Sequence, residues 1–370
     1  MNDNYCAAVD TGLFIYPGGQ VGVCCAGSEY LGNVNTESIQ HIFQKPRFIE
    51  IRNNLKNNIE DKYCSGCNQL EKLAPNSSQK FAFNDGFGIQ EQRHLRLIDI
   101  RWSNVCNLSC RYCNVNDSSE WRKLAHLPIK NVNKDYVESI FQEVSDNKST
   151  ISNVYLLGGE PLLQKQNERL LDIVDRNVKI DVLTNLSVKL ENNKIYEKLK
   201  SMPHVLWNIS FDNVGKRFEY VRHGADWEIF KDNIRRVQED FGRHRLTFHP
   251  VYTIWNATNL LEYYEFAYVN SARVNWQLAL PKTDLDGYRT DSFIVFGHKQ
   301  NIIEQAINEI DKLNIKDSLL LGLQQSLIDS VEVPGKNIEF LQWTARMEDL
   351  MPPVDKFQNL WPNLFKLLNV

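Results

Sequence analysis

Arg101-Trp102-Ser103-Asn104-Val105-Cys106-Asn107-Leu108-Ser109-Cys110-Arg111-Tyr112-Cys113-Asn114 is the stretch whose reading decides the fold. The apolar run over 97–102 predicts a strand, so Cys106, Cys110 and Cys113 fall in C-x3-C-x2-C spacing on the loop just past a strand end. Three thiolates on one tight loop can grip three irons of a cubane cluster and leave the fourth iron open to a small ligand. The competing reading is structural zinc, which wants four protein ligands. No nearby cysteine or histidine completes that set, since His94 precedes the strand and His126 is thirteen residues on.

Working outward, the chain has 370 residues, 42% hydrophobic and 24% charged, an ordinary globular composition that excludes a disordered chain. Its 42 basic and 46 acidic residues give a net charge of -4, with no bulk attraction for nucleic acid or an anionic membrane. Met1-Asn2-Asp3-Asn4-Tyr5 has no basic leader, and the apolar stretch 12–16 is too short for a signal or a span, so a cytoplasmic chain is expected. In that compartment eight cysteines read as metal ligands rather than disulfides. They stand at 6, 24, 25, 64, 67, 106, 110 and 113, and none occurs in the remaining 257 residues.

Residues 1–75 hold five of these cysteines and little sustained periodicity, which suggests a small domain organised by metal. Ala-Pro-Asn-Ser-Ser at 74–78 reads as a connector, within a linker expected over 76–95. From 96 to 297, strand-like runs at 97–102, 154–157, 180–184, 205–211, 246–254 and 274–278 alternate with amphipathic segments near 134–146, 163–176, 191–202, 226–240 and 258–269. Repeated βα units predict an α/β fold with a parallel sheet covered by helices, and six of them favour a partial barrel. The region 298–370 turns helical, with helices expected at 298–312, 316–329, 337–348 and 355–367.

The cysteine loop resembles that of the radical S-adenosylmethionine (SAM) superfamily, in which this spacing follows the first strand of a (β/α)6 partial barrel. Tyr112 fills the aromatic position that in the family lies near the adenine of SAM. Gly158-Gly159-Glu160-Pro161 is similar to the family's GGEP segment after the second strand, which hydrogen-bonds the SAM amino group. Glycines let backbone approach closely, and a carboxylate complements an ammonium. Thr184-Asn185 and Ser210-Phe211-Asp212 resemble segments that face the SAM ribose and carboxylate or the substrate, with the family's glycines replaced by Leu186 and Asn213. Ser210 and Asp212 have an alternative reading as caps of the next helix. Arg222 matches an arginine that often follows in peptide-modifying members; its alternative is a solvated surface charge. His249, Tyr252, Trp255 and Trp276 lie at or near strand ends, where they read as substrate-pocket lining or, more often for such residues, as core.

The second set, Cys6, Cys24, Cys64 and Cys67, forms C-x12-G-x4-C followed by Cys64-Ser65-Gly66-Cys67. It resembles the twitch or SPASM auxiliary-cluster modules of the same superfamily, although here the module precedes the barrel. The resemblance implies a second, fully ligated cluster, most simply [4Fe–4S]. Four thiolates also suit a closed zinc site. Cys25 is left over, and only the G-x4-C spacing selects Cys24 over it.

Taken together, the resemblance implies a radical SAM enzyme: a [4Fe–4S] cluster that binds SAM through Cys106, Cys110 and Cys113, one-electron cleavage to a 5′-deoxyadenosyl radical, and hydrogen abstraction from substrate. The expected outcome is oxidation or crosslinking of a peptide or protein side chain, with dehydrogenation or epimerisation of a small alcohol, sugar or peptide as the alternative. Expected partners are that substrate and an electron donor such as flavodoxin or ferredoxin. A reading from another class is a non-catalytic binding protein in which both cysteine sets are structural, against which an intact GGEP segment stands.

Overall fold

The computed structural model describes residues 4–27, 29–73, 75–76, 78–270, 272–278, 291–313 and 318–369. Positions 74 and 77 of the expected connector, 279–290 of the expected barrel and 316–317 of an expected helix lie outside the described residues. The fold is α/β with a mainly parallel sheet, and the chain divides into two compact units.

The first unit comprises 1–105, 129–183 and 191–206. Its parallel strands Leu97–Ile100, Asn153–Leu156 and Lys179–Thr184 pair in sequence, with Asp99 opposite Tyr155 and Tyr155 opposite Asp181. All four residues of Leu97–Ile100 are buried, as a strand covered on both faces requires. The crossover helix Lys134–Asp146 runs where the periodicity predicts it. Asn133 caps it by accepting from the Asp135 N–H, and Ile140, Phe141 and Val144 form its buried stripe.

The N-terminal segment expected to be organised by metal also contributes strands to the sheet. Gly12–Ile15 runs parallel to Leu97–Ile100 through four residue pairs, and Gln20–Gly22 pairs with it antiparallel. Leu13, Phe14 and Ile15 are buried in the core of this unit. A four-residue strand leaves almost no periodic signal, and its pairing is long-range, so the sequence conceals it. The expected linker contains the helix Gln79–Phe87, whose Phe83 packs between Phe14 and Tyr155.

The second unit comprises 106–128, 184–190 and 207–370. Val205–Ile209 pairs with Leu246–Phe248, which pairs with Arg273–Val274, all parallel. The expected strand 246–254 is cut at Pro250, which has no N–H for the ladder, and Val251–Tyr252 pairs separately with Gln277–Leu278. Reciprocal bonds between Thr253 and Asn256 then start the helix Ile254–Ala257. Phe211 sits fully buried among Phe218, Trp227, Phe230, Phe248, Tyr263 and Phe266, with ring centroids 4.9 to 6.0 Å away. Its burial fixes the backbone of Ser210 and Asp212 on either side.

The C-terminal helices form where expected, except that Trp361-Pro362 splits the last into Phe357–Leu360 and Pro362–Asn369. Phe340 and Trp343 pack with Trp255, and the Trp361 indole donates to the Trp255 carbonyl at 2.8 Å. Among the described residues no helix is long and apolar enough to cross a membrane.

Candidate active site

The cysteine loop is held by its backbone. The Ser109 N–H donates to the His223 carbonyl at 3.0 Å and the Arg111 N–H to the Val221 carbonyl at 2.8 Å, so the loop zips against 221–223 as a short strand would. Gly224, at φ 96°, is required here, because a Cβ would stand 3.2 Å from the Asn107 carbonyl oxygen. On the other side, Ser119 Oγ accepts from the Cys106 N–H and donates to its carbonyl, and Ser118 Oγ donates to the Leu108 carbonyl. The Trp121 indole donates to the Cys110 carbonyl at 2.9 Å. Sequence reasoning missed these three residues, although Ser118 also caps the helix Ser119–Leu124 and Asp-Ser-Ser-Glu is a legible helix start.

Arg111, also missed, is completely buried between two of the cysteines. Its Nε donates to the Tyr220 carbonyl at 2.9 Å and Nη2 to the Met351 carbonyl at 3.0 Å, with the guanidinium 4.1 Å from the Tyr220 ring centroid. The C-terminal helical region therefore reaches the cysteine loop.

Asp212 gathers two of the other expected site residues, Tyr112 and Arg222. Its Oδ2 accepts from the Tyr112 hydroxyl at 2.7 Å and lies 2.8 Å from Arg222 Nε, while Oδ1 accepts from the Val251 N–H at 2.8 Å. Arg222 Nη1 reaches Cys110 Sγ at 3.9 Å, and the guanidinium stands 5.6 Å from the Tyr112 ring centroid. Burial pushes the Cys110 thiol up and the Arg222 cation opposes this; burial also raises Tyr112 well above an ordinary phenol. Two alternatives are thereby corrected. Arg222 is no solvated charge, being 4% exposed and ion-paired. Neither Ser210 nor Asp212 caps the next helix: the cap position of Gly215–Val221 is Val214, with no side-chain bond.

Asn185 is brought to the same loop, its Nδ2 3.7 Å from Cys106 Sγ and 2.9 Å from Asn107 Oδ1. Leu186, where the family has glycine, takes φ 49° and is fully buried. Its N–H donates to Thr184 Oγ1, and its carbonyl accepts from Asn233. Ser210 is half-buried, its N–H donating to the Thr184 carbonyl. Asn213, in the second substituted glycine position, is buried and accepts from Asn259.

In the first unit, Gly158 takes φ 128° and a Cβ on Gly159 would come within 2.2 Å of the Val105 carbonyl oxygen. The glycines thus let this turn lie on the backbone just ahead of the cysteine loop, which the Glu160 N–H clasps by donating to the Val105 carbonyl at 2.7 Å. Glu160 is fully buried and its carboxylate accepts from the Leu162 N–H, starting the short helix Pro161–Leu163.

Cys6, Cys24, Cys25, Cys64 and Cys67 lie in the same unit. Burial raises the Cys6 and Cys24 thiols, with Cys64 and Cys67 adding to the rise at Cys6; Cys25 is pushed up to about 12 and Cys64 to about 11, also mainly by burial. Two tyrosines grip the Cys24 turn. The Tyr63 hydroxyl accepts from the Val23 N–H at 2.7 Å, and the Tyr16 hydroxyl donates to the Cys24 carbonyl at 2.7 Å. Gly27 leaves room for the Tyr63 ring, since a Cβ there would stand 1.9 Å from it. After burial, Asp99 and then Arg101 are the strongest charges acting on the Cys25 thiol, with Cys67 adding to its rise, and Cys25 in turn raises Cys24 and Cys6.

All eight cysteines are free thiols. Among the described residues, no three Cys, His, Asp or Glu side chains converge enough to hold a single metal ion. A cubane takes each thiolate on a different iron, so a cluster does not require its thiols to meet at one point. Raised thiols must lose protons on ligation, which makes loading pH-dependent.

A radical SAM superfamily model matches residues 100–267, and an iron–sulfur cluster-binding SPASM model matches 6–68. The radical SAM cyclopropyl synthase TigE of Paramaledivibacter caminithermalis is 28% identical over 166 residues, 39% of this chain and 34% of that protein. The probable GTP 3′,8-cyclase of Methanocaldococcus jannaschii is 24% identical over 312 residues, 77% of this chain and 96% of that protein. Among solved structures, anSMEcpe with bound AdoMet and Kp18Cys peptide gives a TM-score of 0.41 at 18% identity, covering 59% of each chain. Streptococcus suis SuiB bound to precursor peptide SuiA gives 0.41 at 16%, covering 72% of this chain and 51% of SuiB. The chain thus spans about a third of the length of TigE and three-fifths of anSMEcpe.

Proposed function

This chain belongs to the radical SAM superfamily and carries an N-terminal SPASM iron–sulfur domain, and from that premise we propose that it is an enzyme that oxidatively modifies a peptide or protein side chain. When bound, a [4Fe–4S] cluster and SAM supply one-electron cleavage of the sulfonium and a 5′-deoxyadenosyl radical that takes hydrogen from a C–H bond. The observation that carries the reading is the coincidence of each cysteine set with its own domain match, one set of three thiols and one with four or more.

Cys106, Cys110 and Cys113 would hold three irons, on a loop whose backbone is fixed from both sides. Gly158, Gly159, Glu160 and Pro161 form the segment that the family assigns to the SAM amino group, with the buried Glu160 carboxylate as the complement of an ammonium. Tyr112, Asp212 and Arg222 act as one hydrogen-bonded set against the loop, and Asn185 and Ser210 lie at the neighbouring strand ends. Cys6, Cys24, Cys64 and Cys67 would fully ligate the auxiliary cluster. A site with no open iron suits electron acceptance, which favours net oxidation of the substrate. The burial of Glu160, Asp212 and Arg222 limits water at a reactive centre. The proposed division places the auxiliary site in 1–75, the SAM-binding region in 96–297 and a helical region in 298–370, with flavodoxin or ferredoxin as electron donor.

The test is anaerobic reconstitution of the full chain with iron and sulfide, followed by dithionite and SAM. The expected result is about eight irons per chain, falling to about four in a Cys106/Cys110/Cys113 triple alanine variant, with formation of 5′-deoxyadenosine. Zinc in place of iron, or no 5′-deoxyadenosine with any substrate offered, would overturn the reading. A relative named as a GTP cyclase aligns along most of this chain, so nucleotides belong in the substrate panel beside peptides.

A further inference from the structure

Arg222 is buried and its charge is spent on two neighbours, Asp212 through Nε at 2.8 Å and Cys110 Sγ through Nη1 at 3.9 Å. Asp212 is 1% exposed, and among the described residues the partners of its carboxylate are the Arg222 cation, the Tyr112 hydroxyl and the Val251 N–H. The cysteine that Arg222 reaches is the middle one of the loop and is itself 8% exposed. A cation and an anion in this order beside one ligand sulfur exert opposed fields on the same iron site, in a region where water screens little.

We propose that the Asp212–Arg222 pair sets the reduction potential of the loop cluster through Cys110, with Arg222 raising it and Asp212 lowering it. The inference rests on the reading of Cys106, Cys110 and Cys113 as cluster ligands. Reduction adds one electron to the cluster and its ligand sulfurs. The Arg222 guanidinium stabilises that added charge and donates to the sulfur, whereas the Asp212 carboxylate repels it. Tyr112 enters on the same side as Arg222: by donating to Asp212 it disperses the carboxylate's charge. All three are positioning and tuning residues in this role, and none forms or breaks a bond.

The experiment is a potentiometric titration of the anaerobically reconstituted full chain, followed by electron paramagnetic resonance. A low-potential one-electron reductant such as titanium(III) citrate serves as titrant. The signal absent from the Cys106/Cys110/Cys113 triple alanine variant is assigned to the loop cluster. R222Q is expected to shift its midpoint to more negative potential, and D212N to more positive. Each shift should change the reduced-to-oxidised ratio about tenfold at fixed poise, which for one electron is about 59 mV. R222K retains the charge and should remain within a fraction of that shift. The double variant R222Q/D212N should return towards the wild-type value, and it also covers the case in which R222Q alone, with an uncompensated buried carboxylate, does not fold. Shifts of the same sign in R222Q and D212N, or no shift in either, would overturn the inference while leaving the cluster assignment intact. Absence of any loop-cluster signal in the wild type would instead overturn the underlying reading.

Discussion

Leu186 stands where the family has glycine, in a left-handed conformation that costs a branched side chain about 1–2 kcal/mol. Restoring the glycine relieves that strain, and a motif-based argument would expect a neutral or stabilising change. The structure argues for the opposite sign. The Leu186 side chain is fully buried, and removing a buried leucine costs about 2–5 kcal/mol once the residual cavity is included. Glycine adds about 0.5–1 kcal/mol through the greater freedom of the unfolded chain. The net expectation for Leu186→Gly is a loss of about 2–4 kcal/mol. Leu186→Ala separates the two effects: it loses the same packing but keeps the strain, so at this position glycine should be more stable than alanine by about 1 kcal/mol. Urea unfolding of the full chain, followed by tryptophan fluorescence, measures both variants against wild type. The loss should extend to function, because the Leu186 N–H and carbonyl bonds anchor the turn that presents Asn185 to the cysteine loop. The reasoning is refuted if Leu186→Gly is as stable as wild type, or if Leu186→Ala is more stable than Leu186→Gly.

Arg111→Met leaves the Tyr220 and Met351 carbonyls without their donor and should lower stability by about 2–4 kcal/mol, with faster iron loss from the loop. Arg111→Lys should rescue little, because an ammonium lacks the planar fork that spans both carbonyls; unchanged iron retention in Arg111→Met would rule out the clamp. Tyr63→Phe removes the acceptor for the Val23 N–H and should destabilise by about 1–3 kcal/mol, selectively reducing iron bound by the auxiliary set, as measured in the loop-cysteine triple variant. His298 is buried and held at about 4 rather than 6.5 by desolvation. Between those two values the unfolded chain binds a proton that the folded chain refuses, so stability present above pH 6.5 is lost as the pH falls towards 4. The loss amounts to about 3 kcal/mol, and His298→Gln should flatten the measured stability profile over that window.

Much of the chemistry was legible because it is local. The loop cysteines, Tyr112 and the Gly-Gly-Glu-Pro turn are each encoded within a few residues, and the helices with strong 3.6-residue stripes, such as Lys134–Asp146 and Trp227–Phe241, run within one residue of their predicted bounds. Legibility failed where a partner is remote. Nothing near Gly12–Ile15 announces a strand that pairs with residues 85 positions away. Nothing in Cys-Arg-Tyr-Cys indicates that Arg111 binds a carbonyl 240 residues downstream. The alternatives for Asp212 and Arg222 also could not be separated from sequence, because a cap, a surface charge and a buried ion pair use the same residue types.

The resemblance to auxiliary-cluster modules proposes the second set of four with Cys25 left over; by itself the sequence determined which thiols exist, how they are spaced, and therefore the three-cysteine loop. Spacing suffices for that, since the reach of a short loop is limited by chain geometry. Only the tertiary structure decided what surrounds those sulfurs: Arg222 and Asp212 beside Cys110, Asn185 beside Cys106, Asp99 and Arg101 acting on Cys25, and the C-terminal region tied to the loop through Arg111. Those contacts join segments whose proximity depends on how the strands order themselves and on which faces they bury. Electrostatics at a buried site depends on distances of a few ångströms, and no local pattern in the chain encodes them.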